Sequence, residues 1–431
     1  MTVSHTDSGW YTPVSSRPIL DESIECDCVV IGGGISGLST LLALAAAGVR
    51  PVLIEAHHIG SGGTGASTAI ITQAAGSEQG AREMIDQFGL EATQRIFGYV
   101  REGIRDIREL VRQKEAVCDL RTQGYINLFE NEEMAQQEHQ AQIQLGNDNQ
   151  LLKADALRNH VQSSHYRAGL FFADPEWNYV LNPYTLVRLM AGKAETLGAT
   201  IYEHTPVLSL QEEADGVLVK TPRGQIRARK VVVATNPFTI DLKGLPRPIQ
   251  RSVLPVCQYI SLVEFEQNPF QNCSGFSDNS TLDYMFGNVK DNLVMASAGN
   301  FEFVASRDPQ MLKESHAANK EQLARRFPDH PFQIRSTWPG RIGGSLTSGF
   351  LAQTGFATSR KNIYVSFIGD GLAIGHYLGK VAADAVMGNE KSIPPELRIG
   401  RAVPLTMALA RLCPRRVVDL VAPLVYNSGL F

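Results

Sequence analysis

Near the start of the chain the spacing of apolar residues changes period twice. Residues 26–31 are short, β-branched and mostly apolar, ending in Val29, Val30 and Ile31, which predicts a strand buried in a parallel sheet. Gly32-Gly33-Gly34-Ile35-Ser36-Gly37 follows at once, an apolar helix is predicted over 35–47, and Gly48 stops it. A second strand over 51–54 then leads into Glu55 and Ala56. Helical spacing returns over 78–114, where Ile96, Val100, Ile104, Ile107 and Leu110 recur on one face. Residues 127–146 are polar and rich in Glu and Gln, the composition of an exposed helix, and another amphipathic helix runs from Leu181 to Gly198. Strands are predicted at 199–202, 206–210 and 230–236, with hairpin turns near Asp215-Gly216 and Arg223-Gly224. Alternation over 251–263 and 284–299 predicts an antiparallel sheet, and a helix follows over 310–327. A strand at 362–367, the turn Gly369-Asp370-Gly371 and a helix over 373–387 repeat the opening design. The fold class is α/β, or α+β overall: a Rossmann-like parallel domain with an inserted antiparallel-sheet domain.

The glycine run gives the first unit its chemistry. Gly32 permits a tight turn, Gly34 lets backbone N–H groups approach a diphosphate, and Gly37 lets the helix lie close on the strand. The helix then directs its positive end at the phosphates. Glu55 stands where a carboxylate can accept both hydroxyls of a ribose, about twenty residues past the glycines. A dinucleotide cofactor is therefore expected. Residues 59–69 are small and carry hydroxyls, among them Gly63, Thr64, Gly65, Ala66, Ser67 and Thr68. They read either as a plain surface connection or as a second cradle for the cofactor, and proximity to the glycine turn favours the cradle. The strand ending in Ala234, Thr235 and Asn236 places its polar end where ligands of open parallel sheets bind.

Bulk composition narrows the partners. The chain has 431 residues, 43% hydrophobic and 19% charged, enough for two cores. A net charge of −4 and a pI near 6.2, with no stripe of Lys or Arg, give no field for nucleic acid. The polar start of the chain shows no secretory signal and no apolar run has membrane-spanning length, so a cytoplasmic location is expected. The six cysteines are dispersed; Cys26 and Cys28 share one strand face and read as core residues, so no metal is expected. The tail from Ile393 carries Arg411, Arg415 and Arg416 on an amphipathic stretch broken by Pro414 and Pro423. It could touch a membrane surface, with docking on the protein's own body preferred.

Taken with Trp338-Pro339-Gly340-Arg341, these motifs resemble the D-amino-acid oxidase superfamily of FAD-dependent amine oxidoreductases, which holds glycine oxidase and sarcosine oxidase. Within it the Trp10-Tyr11 arm, the lead-in from Glu22 to Asp27 and Arg251-Ser252 are most similar to the gamma-glutamylputrescine oxidase branch. The resemblance implies a Rossmann-like FAD-binding domain of the glutathione-reductase type, formed by 24–80, 180–240 and 338–390. An arm (1–23), a substrate domain (81–179 and 241–337) and a C-terminal helical tail (391–431) complete it. It also implies Gly32, Gly34, Ile35, Ser36 and Gly37 on the pyrophosphate, Glu55 and Ala56 at the adenosine ribose, and the Val207 backbone at the adenine. Residues 64–68 and the run Gly369, Asp370, Gly371, Leu372, Ala373 and Ile374 would surround the isoalloxazine. Some features depart from the family pattern. The arginine that holds a substrate carboxylate is missing after Tyr284, a lysine linked to oxygen use is replaced by Ala373, and the branch's Arg-Asn pair is replaced by Ala66-Ser67. No Cys or His occupies the flavin-linking positions near Ser67 or Trp338, so non-covalent FAD is expected.

Candidate catalytic residues are Arg341, as a bidentate partner of substrate or flavin or else a surface arginine, and Tyr259 and Tyr284, as pocket lining or else sheet packing. His376 reads as an interior histidine rather than an acid–base catalyst. The leading expectation is oxidation of a C–N bond in an amine or amino acid, with oxygen or another electron acceptor. The alternatives are a dehydrogenase feeding a quinone or protein acceptor, and an FAD-holding scaffold with reduced chemistry.

Overall fold

The computed structural model describes residues 8–76, 80–278, 284–298, 302–303, 312–345, 351–367 and 371–399. Its first layer is an eight-stranded sheet whose central strands run in the order Gln353–Phe356, Ile363–Phe367, Gln225–Val233, Ser23–Ile31, Val52–Ile54 and Thr200–Tyr202. All neighbouring pairs along this path are parallel except the edge pair of Gln353–Phe356 with Ile363–Phe367. A hairpin of Ser209–Glu212 and Val217–Lys220 extends it antiparallel from Gln225–Val233. Val29, Val30, Val231, Val232, Ile363 and Val365 are buried on both faces, which is why these strands read as continuous apolar runs.

Helices cover one face. The first helix, Ile35–Ala46, packs against the last, Leu372–Val386, and the last packs in turn on the long helix Leu90–Val111. Close approach there needs small residues: a Cβ on Gly103 would collide with the Ala373 carbonyl oxygen, and one on Gly379 would come 2.5 Å from the Ser36 carbonyl oxygen. The helical stretch expected over 78–114 is two helices, Ala81–Phe88 and Leu90–Val111, parted at Gly89 with φ +80°.

The second layer is a nine-stranded sheet. Its longest ladder pairs Val253–Phe265 with Phe332–Ser345, antiparallel. Beyond it the order runs through Leu293–Ala298, Tyr284–Lys290, Gly275–Asp278, Tyr125–Phe129, Ala168–Phe172 and Gln150–Lys153. Three sequence expectations are corrected here. Residues 127–129 belong to a fully buried strand, and the helix that follows, Glu132–Gln144, buries Glu138 and Gln142. Glu138 is buried because it accepts the N–H of Ala81 at 2.8 Å and of Arg82 at 3.1 Å, capping a neighbouring helix. Arg251 and Ser252 end a short helix, Arg247–Ser252, and the strand starts at Val253. Trp338 and Arg341 run in the second sheet, opposite Ile260 and Cys257, and the helix Leu90–Val111 lies with the first layer. Residues 400–431, and with them the membrane-surface reading of the tail, lie outside the described residues. Among the described residues no helix is long and apolar enough to cross a membrane.

Candidate cofactor and substrate site

The strand Ser23–Ile31 ends at a turn that only glycine fits. Gly32 has φ +108°, and a Cβ there would lie 2.6 Å from the Ala234 carbonyl oxygen. A Cβ on Gly37 would overlap the Gly32 carbonyl oxygen. Gly34 is the N-cap of the first helix and offers no side-chain cap, so the terminal N–H groups depend on other partners. Ile35 N–H donates to Thr64 Oγ1 at 3.0 Å, which ties the glycine turn to the small-residue loop. Ser36 Oγ is buried without a hydrogen-bond partner. The Glu55 carboxylate accepts from Gly33 N–H at 2.7 Å and from His57 N–H at 2.9 Å, and these backbone donors fix its orientation.

The loop from Gly60 to Ala69 is held from outside by two indoles. Trp10 Nε1 donates to the Ser67 carbonyl at 2.9 Å and Trp338 Nε1 to the Ala66 carbonyl at 3.0 Å. The Ser8 hydroxyl adds a bond to the Gly65 carbonyl. Across the loop, a Cβ on Gly63 would lie 2.7 Å from the Arg341 carbonyl oxygen, and one on Gly287 would overlap the Thr68 carbonyl oxygen. Small residues therefore let the loop pass between the two layers.

Two chambers open around this framework. The larger, about 700 Å³, is lined by Gly32, Gly34, Ile35, Ser36, Glu55, Ala56, Gly63 and Thr64. Val207, Ala234, Thr235, Asn236 and Arg341 complete its predicted lining. The smaller, about 120 Å³, is lined by Ser67, Thr68, Gly371, Leu372, Ala373 and Ile374. Ile35, Gly63, Thr64 and Asn236 border both, so the chambers adjoin. Asn236 holds φ +47° and accepts Gly343 N–H on its Oδ1 at 3.0 Å, which fixes the partition between the layers. Gly371, with φ +113°, is the uncapped N-cap of the last helix, whose start faces the smaller chamber.

Other predicted residues lie elsewhere. Gly37, Gly65 and Ala66 line neither chamber; a Cβ at Gly65 would overlap the Gly60 carbonyl oxygen, and Ala66 is buried under Trp338. Tyr259 is buried in its strand opposite Pro339, and its carbonyl accepts Asn319 Nδ2 at 3.2 Å. The Tyr284 backbone runs in a strand opposite Asp278; its side chain, and all of Gly369 and Asp370, lie outside the described residues. Sequence reasoning missed Tyr125 and Ser277 in the smaller chamber and the buried, unpartnered Ser366 Oγ in the larger. The alternation of Tyr125, Asn127 and Phe129 was the available signal, masked by the polar residues that follow.

His376 is enclosed between the first and last helices, 4% exposed, with Nδ1 bonded to Ser39 Oγ at 2.7 Å. Burial pushes its pKa down to about 4, opposed by Asp106 at 3.9 Å and reinforced by Lys380. The folded state thus binds its proton later than the unfolded chain does. Stability from this group is complete above pH ~6.5 and is lost as pH falls toward 4, an effect of about 3 kcal/mol. Denaturant titrations at pH 7 and pH 4.5 should show that loss, and His376→Gln should flatten it.

The residues fit a dinucleotide carrying a diphosphate. An uncapped helix start, an orphaned buried hydroxyl at Ser36 and a fixed carboxylate beside them are the donor and acceptor set such a ligand needs. Comparison with known proteins agrees. The family model described as FAD dependent oxidoreductase (DAO) matches residues 27–385. Gamma-glutamylputrescine oxidoreductase of Escherichia coli is 28% identical over 386 residues, 86% of this chain and 85% of that protein. Glycine oxidase of Geobacillus kaustophilus shares the fold with a TM-score of 0.69 at 18% identity, over 88% of this chain and 99% of that one. The L-amino acid deaminase of Proteus myxofaciens does so with a TM-score of 0.70 at 17% identity, over 90% and 96%. This chain is an enzyme of the DAO family of FAD-dependent oxidoreductases.

Proposed function

We propose that the protein oxidises the C–N bond of an amine or amino acid, with FAD bound non-covalently across the two chambers. The observation that carries this reading is the junction of the chambers at Ile35, Gly63, Thr64 and Asn236, which links a diphosphate cradle to a small chamber under the second sheet. Gly32, Gly34 and Ser36 would hold the pyrophosphate, Glu55 the ribose and Val207 the adenine. Arg341, in the larger chamber, would supply positive charge to the cofactor's phosphates or to a substrate anion. Ser67, Thr68 and Gly371 to Ile374 would border the flavin ring, with Gly369 and Asp370 adjoining and Tyr259 and Tyr284 shaping the substrate sheet. FAD supplies the two-electron acceptor for hydride leaving the carbon next to nitrogen. The chain positions that carbon and excludes water with Ile70, Ile71, Val100 and Ile342. Such a lining disfavours the ammonium form and so admits the amine with its lone pair free. The oxidised product, an imine, is then hydrolysed. The parallel layer would be the cofactor domain and the second sheet the substrate domain, acting in the cytoplasm.

Ala373 favours a second reading of the electron acceptor. It places a methyl group in the smaller chamber where a cation would assist oxygen, so a quinone or protein acceptor would serve in oxygen's place. Mixing substrate-reduced enzyme with oxygen or with a soluble quinone separates the two by rate. The broader test is anaerobic bleaching of the flavin bands by a panel of amines and amino acids; a protein that binds FAD but is bleached by none would be a scaffold. Glu55→Gln should weaken FAD binding by about ten- to hundredfold, since a charge-assisted hydrogen-bond acceptor is lost. Quenching of flavin fluorescence in titrations of apoprotein measures that change.

A further inference from the structure

The loop that borders the smaller chamber is braced by a segment outside both sheets. Residues 8–22 precede the first strand and hold neither helix nor strand. Near its start this arm supplies donors to the loop: the Ser8 hydroxyl bonds to the Gly65 carbonyl, and Trp10 Nε1 donates to the Ser67 carbonyl at 2.9 Å. With Trp338 Nε1 on the Ala66 carbonyl, three consecutive carbonyls at and just past the end of the short helix Gly63–Ala66 find side-chain donors. Trp10 is buried in one apolar cluster with Ala66, Ala69, Ile260 and Met295, so it joins the loop to the second sheet.

The arm grips the beginning of the loop as well. Arg17 N–H and Ile59 N–H donate to the two oxygens of one buried carboxylate, Glu203, each at 2.8 Å. Arg17 also reaches Glu195, through Nε at 2.6 Å and Nη2 at 3.0 Å, and Leu20 N–H donates to Thr205 Oγ1 at 3.1 Å. Between these anchors and the indole, residues 12–16 are exposed.

What the indole fixes is a peptide plane. Ser67, Thr68 and Ala69 line the smaller chamber, and Trp10 does not. A trans peptide points its N–H opposite to its carbonyl, so holding the Ser67 carbonyl on the indole turns Thr68 N–H away from it. Ala69 then holds φ +66°, a conformation that a residue with a Cβ keeps only where its surroundings enforce it. Its N–H donates to Ser67 Oγ at 3.2 Å, and Ser67 Oγ donates to the Thr64 carbonyl at 2.9 Å. Trp10 ties this local turn to the body of the protein.

We infer that Trp10 is a positioning residue for the flavin: its N–H sets the turn at 67–69 against the ring and so tunes the ring's reduction equilibrium, while contributing little to affinity for the dinucleotide. This rests on the reading above that Ser67 and Thr68 border the ring. Backbone dipoles beside a flavin bias it between oxidised and reduced forms, because they favour the charge of one of them. Affinity is carried instead by Gly32, Gly34, Ser36 and Glu55 in the larger chamber.

The test uses FAD-loaded enzyme, reduced slowly without oxygen beside a redox dye of matched potential. Trp10→Phe keeps an aromatic ring in place and deletes the donor. The flavin-to-dye equilibrium should move at least about threefold and the visible flavin bands should shift, with FAD affinity within about twofold of wild type. Arg17→Ala, which weakens the other anchor of the arm, should leave the equilibrium where it was. An equilibrium unmoved in Trp10→Phe, an equal move in Arg17→Ala, or loss of FAD in step with a fall in melting temperature would overturn the inference while FAD binding by wild type stands. A wild type that takes up no FAD would reject the cofactor reading and this inference with it.

Discussion

Replacing Gly37 by alanine is expected to abolish FAD binding and to cost about 3 kcal/mol or more of stability. The added methyl would overlap the Gly32 carbonyl oxygen. The turn cannot yield, because Gly32 N–H donates to the Ile54 carbonyl at 2.9 Å and Gly32 itself is pressed against Ala234. The helix would have to move instead, carrying Ser36 and the uncapped helix start away from the cofactor's phosphates. Gly48→Ala provides the contrast. Gly48 holds φ +82° with open space around its Cβ position, so alanine there should cost about 1 kcal/mol and leave FAD affinity unchanged. Urea unfolding and FAD titration of the two variants give the comparison; equal effects at the two sites would mean that close packing at Gly37 is not what builds the phosphate cradle.

The second large effect is expected at the buried pair of Arg326 and Asp278, whose side chains are both 0% exposed. Asp278→Ala leaves the guanidinium buried without its carboxylate and removes the acceptor for Tyr166, at an expected cost of about 3–5 kcal/mol. Exchanging both partners for apolar residues, Asp278→Leu with Arg326→Met, should recover most of that loss, because the desolvation of both charges is removed together. The difference between single and double variants in urea midpoint measures it. Because Asp278 follows Ser277 on the same strand, the single variant should also loosen the smaller chamber, which would appear as weaker amine binding.

What could be read from the sequence follows from how local each unit is. The segment from Val29 to Glu55 is one strand, turn, helix and strand, and each part is specified by its own period and by Gly32, Gly34 and Gly37. The strand Ile363–Phe367 and the helix Leu372–Val386 were legible for the same reason. The wall of the smaller chamber was not. Tyr125 and Ser277 meet across 152 positions of sequence, in a parallel pairing that no turn announces. Glu138 and Gln142 gave a polar pattern that suggested exposure, yet they are buried because they cap and bridge neighbouring segments; Gln142 Nε2 donates to the Ala74 carbonyl at 2.7 Å. Burial of a satisfied polar group leaves no trace in a hydrophobicity pattern.

The most direct measurement is the uptake of FAD by apoprotein, followed by flavin fluorescence and by analysis of the supernatant after acid precipitation. The arrangement of the first helix start, Ser36 and Glu55 predicts stoichiometric binding, release of intact FAD by acid, and marked weakening in Glu55→Gln. A wild-type protein that stays colourless and quenches no flavin fluorescence would contradict it.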